Sequence, residues 1–93
     1  MYLIFNATDG ITATPEQYRT FTRALVAMQA LRRRFENNGQ GFYRTAGGEH
    51  IAPAQVELVI WKAKDFWAGN NGPVYNDLYD PAEQAEALAK GKN

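Results

Sequence analysis

Apolar residues recur along this chain at two periods, and the change of period marks its elements. Tyr18, Phe21, Leu25, Met28, Leu31 and Phe35 stand three and four residues apart, forming one stripe of an α-helix. Thr14-Pro15-Glu16-Gln17 supplies a capping hydroxyl, a first-turn proline and a Gln able to close a capping box. Asn37-Asn38-Gly39 supplies the stop. The pattern predicts a helix over residues 15–36, about 33 Å long at about 1.5 Å per residue. Period two governs residues 55–62, where Val56, Leu58 and Ile60 alternate with Glu57, Val59 and Trp61. The second face of that strand is not fully polar. Val59 and Trp61 therefore need cover, either from the residues that follow or from another chain.

Three weaker signals complete the outline. Tyr2 to Asn6 is a run of β-favouring residues that ends in the turn Asp9-Gly10. Gly41-Phe42-Tyr43-Arg44-Thr45 turns through Ala46-Gly47-Gly48-Glu49 into His50-Ile51, a hairpin that Pro53 interrupts. From Asp65 to Tyr79 the aromatics Phe66, Trp67, Tyr75 and Tyr79 surround Gly69-Asn70-Asn71-Gly72-Pro73, which reads as an irregular aromatic loop. Asp80-Pro81-Ala82-Glu83 then opens a short helix over residues 81–90. The expectation is a single α+β domain spanning 1–93. One long helix packs on an antiparallel sheet of about three strands, in the order β-α-β-β-α, with a short C-terminal helix.

Size and charge narrow the function. Ninety-three residues build one core. Ten Lys plus Arg balance ten Asp plus Glu, so there is no global attraction to nucleic acid or to an anionic membrane. The opening apolar run is too short for a signal peptide and lacks its basic flank, and no segment approaches the roughly 20 apolar residues of a membrane span. With no cysteine, disulfides and thiolate ligands are excluded, which fits a reducing compartment. The expected setting is cytoplasmic, without membrane contact.

Candidate chemistry is sparse. The chain has no serine and no cysteine, and His50 is its only histidine. The expectation is therefore a protein that is not an enzyme, His50 beside Glu49 being a lesser candidate for a general base. No metal-ligand spacing and no phosphate-binding glycine motif occurs, so no metal and no cofactor are expected.

Two positive features remain. Arg32-Arg33-Arg34 fan around the end of the long helix. With Leu31 at zero, Arg32 projects at about 100°, inside the apolar stripe, with Arg33 and Arg34 off it. Trp61, Phe66, Trp67, Tyr75 and Tyr79 form the aromatic region. Arginine and aromatics are the residue types enriched in interface hot spots. The expected function is a non-catalytic protein-binding module, of the size of small accessory or inhibitor proteins of phages and mobile elements, acting on a larger protein complex. Its expected contacts are Arg32, Arg33, Arg34, Trp61, Phe66, Trp67, Tyr75 and Tyr79. The alternative is nucleic-acid binding through a helix stripe of Arg19, Arg23, Arg33 and Arg34, with Arg44 on the hairpin. A homodimer through Val59 and Trp61 is a further way to cover the second strand face.

Overall fold

The structure, a computed structural model, describes residues 1–78. Tyr79 and the helix expected over 81–90 lie outside those residues. In chain order the elements are β1 (Tyr2–Asn6), β2 (Ile11–Thr12), α1 (Phe21–Glu36), β3 (Tyr43–Arg44), β4 (His50–Ile51), a 3-10 turn (Pro53–Gln55), β5 (Leu58–Lys62), α2 (Ala63–Ala68) and β6 (Tyr75–Asn76). The class is α+β, with α1 packed on an antiparallel sheet.

That sheet has four strands in the order β2-β1-β5-β6, and the β3-β4 hairpin stands apart as a second sheet. The expectation of about three strands, with the hairpin among them, is corrected on both points. β1 and β5 pair over their whole length, from Tyr2 opposite Lys62 to Asn6 opposite Leu58. The flanks of this pair are taken by the two-residue strands β2 and β6, each drawn from a segment that reads as loop in sequence. Residues 43–51 therefore pair only with each other, through the turn the glycines foretell.

The helix also begins later than the capping motif implies. Tyr18 is held extended against β1, its N–H and C=O bonded to those of Tyr2 at 2.7 Å each. Residues 14–19 consequently do not coil. Thr20 is the N-cap, in extended conformation, and its hydroxyl accepts from the Arg23 N–H at 3.2 Å. The strand pairing outweighs the local Thr-Pro signal, as tertiary contacts override propensity.

Between α1 and the sheet lie Ile4, Ala24, Met28, Val56, Leu58 and Ile60, all fully buried. Phe21, Leu25, Leu31 and Phe35 pack around them, so the apolar stripe from Phe21 onward faces the sheet as its spacing requires. Each buried Ile or Leu contributes about 2 kcal/mol by leaving water. The opposite face of the sheet is covered from within the chain. Leu3 and Val59 are 2% and 3% exposed, and the α2 side chain Phe66 lies 5.1 Å from Phe5 and 5.6 Å from Trp61. Residues 63–68 are thus a helix, not irregular loop, closed by Gly69 in the left-handed conformation at φ 70°. The need for a second copy over Val59 is removed.

Candidate functional site

The arginine run divides into one internal and two external residues. Arg32 turns toward the protein. Its Nε donates to Asp77 Oδ2 at 2.8 Å, Nη1 to the Pro53 carbonyl at 2.8 Å and Nη2 to the Val56 carbonyl at 2.6 Å. Its side chain is 11% exposed, and the pair with Asp77 is the sole salt bridge among the described residues. Arg32 thereby ties α1 to the 3-10 turn and to the end of β6. Arg33 and Arg34 are exposed in the last turn of α1, where their charge complements the negative end of the helix dipole.

The aromatic group divides as well, across the sheet. Tyr75 is opposite Ile60 in register, on the α1 side, and its ring lies 5.8 Å from Phe21. Trp61, opposite Leu3, belongs to the outer face with Phe66 and Trp67. Trp67 meets Phe66 edge-on at 4.9 Å and remains 69% exposed. Trp61 and Phe66 are half-buried, and Met1, two residues before Leu3 on the same strand face, is exposed. The outer face therefore presents an aromatic ridge whose tip is Trp67.

The remaining arginines do not form the expected stripe. Arg19 is exposed but precedes α1, so it shares no helix face with Arg23. Arg44 is exposed on β3 and registers opposite His50. Its neighbour Tyr43 packs on Phe35 at 4.9 Å, and alternation along the strand sends Arg44 the other way. Arg23, Arg33 and Arg34 stay exposed on α1 itself. His50 stacks on Phe42, with ring centroids 4.1 Å apart and planes at 17°. No hydrogen bond joins its ring to the Glu49 carboxylate. Among the described residues no group of three His, Asp or Glu side chains is placed to hold a metal ion.

One cluster was not foreseen. Tyr43 Oη donates to Asp9 Oδ2, Asn6 Nδ2 donates to Tyr43 Oη at 3.1 Å, and Asp9 Oδ1 accepts from the Ala46 N–H at 2.9 Å. The Asp9 N–H returns to Asn6 Oδ1 at 3.1 Å. Burial pushes the Tyr43 phenol above its ordinary value of 10.0, and its hydrogen bond to Asp9 adds to the rise. Asn and Asp before a glycine are a turn signal, which marks the local half of the cluster; its Tyr43 partner, 34 residues beyond Asp9, leaves none. With its groups bonded to one another, the cluster acts as a fastening between the two sheets.

No protein-family model, no curated protein and no solved structure matches this chain.

Proposed function

We propose that the chain is a non-catalytic protein-binding module, of the accessory or inhibitor kind, that engages its partner through the outer aromatic face. The observation that carries this reading is Trp67. An indole 69% exposed is a large apolar surface left in water on a small domain, and it is braced by Phe66, which packs in turn on Phe5 and Trp61. A braced aromatic loses little side-chain freedom when a partner closes over it, which is the property of a hot-spot anchor. Tyr75, on the α1 side, does not share this contact, nor do Arg33 and Arg34.

The reading is tested by capture from a nuclease-treated lysate with the wild type and Trp67→Ala, read by mass spectrometry. A discrete protein retained by the wild type and lost by the variant is the expected result. Because Trp67 is exposed, its removal should change folding stability by no more than about 1 kcal/mol. Equal capture of the same partner by a folded Trp67→Ala variant overturns the assignment.

A further inference from the structure

Folding redistributes the balanced charge of this chain. Among the described residues, Asp9, Glu57, Asp65 and Asp77 are buried or half-buried. Each carboxylate accepts an internal hydrogen bond, from Tyr43, Asn76, Asn71 and Arg32 respectively. The exposed anions are Glu16, Glu36 and Glu49. Against them stand the exposed cations Arg19, Arg23, Arg33, Arg34 and Arg44, with Lys62 and Lys64. Four acids are held inward against one base, Arg32, so the described surface is more basic than the composition.

Part of this excess lies on the outward side of α1. Arg23, Arg33 and Arg34 are exposed there with no ion pair among the described residues, and the one acid of the helix is Glu36 at its end. Arg23 and Arg34 differ by about 20° around the axis and stand about 16.5 Å apart along it, with Arg33 about 80° to one side. The side chains between Arg23 and Arg34, Val26, Ala27 and Ala30, are short and apolar, and Gln29, exposed one turn before Arg33, is uncharged, so no acid of the helix separates the guanidinium groups.

We propose that this face of α1 binds the phosphate backbone of duplex nucleic acid without reading its sequence. A protein partner of comparable strength would need a large desolvated anchor, and Val26 is the largest apolar side chain the face exposes. A single strand would need an aromatic platform for its bases, and this face has none. Phosphates need only guanidinium donors and the absence of competing acids. The spacing of Arg23 and Arg34 exceeds a major groove about 12 Å wide, so the two straddle it and reach phosphates on both strands. This surface lies on the opposite side of the sheet from Trp67 and does not depend on the protein-binding reading.

The test is fluorescence anisotropy with a short mixed-sequence DNA duplex over a salt series. Three phosphate contacts give a slope of log K against log salt of about −2.7, a loss of about 40-fold between about 50 and 200 mM. Replacing Arg23, Arg33 and Arg34 together by alanine should abolish most of the binding, replacing them by lysine should retain it, and Trp67→Ala should leave it unchanged. Absence of binding at low salt, or an alanine variant that is folded and keeps both affinity and slope, overturns the proposal. So does capture of an acidic protein that requires the same three arginines while the duplex does not bind.

Discussion

Arg32 illustrates how one residue in a uniform run is assigned a different task by its position on the helix. Its projection falls inside the apolar stripe, which already separates it from Arg33 and Arg34 in the sequence. Its partners were not legible, because Pro53, Val56 and Asp77 lie 21, 24 and 45 residues further along the chain. Removing the guanidinium leaves the Val56 carbonyl and a half-buried carboxylate without this donor, and takes one of two donors from the Pro53 carbonyl. Arg32→Ala is therefore expected to lower folding stability by about 3 kcal/mol in urea denaturation, the range for breaking an enclosed, hydrogen-bonded ion pair. Arg32→Lys should recover only part of it, since an ammonium carries its three donors on one nitrogen and does not reach the spread of acceptors that Nε, Nη1 and Nη2 serve. Arg33→Ala, at an exposed site, should stay within about 0.5 kcal/mol. A loss below about 1 kcal/mol for Arg32→Ala would contradict the clamp.

At the level of elements, long periodic segments were readable and short ones were not. The helical stripe from Phe21 to Phe35 emerges as written and so does the burial of Val56, Leu58 and Ile60, although the strand expected over 55–62 begins only at Leu58, Gln55 belonging to the 3-10 turn. β2 and β6 have two residues each and carry no period to read; they exist because the β1-β5 pair has two flanks to satisfy. α2 has six residues, too few for its amphipathic pattern to stand out from an aromatic loop. Thr14-Pro15 and Thr20 both have the chemistry of a cap for α1, and only the pairing of Tyr18 with Tyr2 decides for Thr20. This choice has a measurable consequence. Thr20→Ala should destabilise the fold by about 1 kcal/mol, the ordinary effect of losing an N-cap, while Thr14→Ala should change it by a few tenths. Equal effects in urea denaturation would place the helix start where the sequence motif has it.

On the scale of the whole molecule, the two sheets are separate hydrogen-bonded units, and their connection rests on few contacts. Phe35 packs against Tyr43 from α1, and the Asn6-Asp9-Tyr43-Ala46 cluster bonds the end of β1 to the hairpin. The phenol of Tyr43 is the titratable element in that connection. Its folded-state value lies above the ordinary 10.0, so the native protein holds this proton more tightly than the unfolded chain does. The resulting stabilisation is fully present below about pH 10 and is lost as pH rises above it, when a phenolate would face the Asp9 carboxylate. Tyr43→Phe removes the group, and at neutral pH should lower stability by about 1 kcal/mol through loss of the hydrogen bond. The other tyrosines titrate in both proteins, so the difference between wild type and Tyr43→Phe isolates this residue. Urea denaturation from about pH 7 to 11 should show a constant gap up to about pH 10 that narrows beyond it. Amide exchange should show the hairpin opening first, since it is the unit that the cluster holds. A gap that stays constant through pH 11 would mean that Tyr43 does not couple the sheets through its proton, leaving the Ala46–Asp9 bond and the packing of Tyr43 and Ile51 on the core to join them.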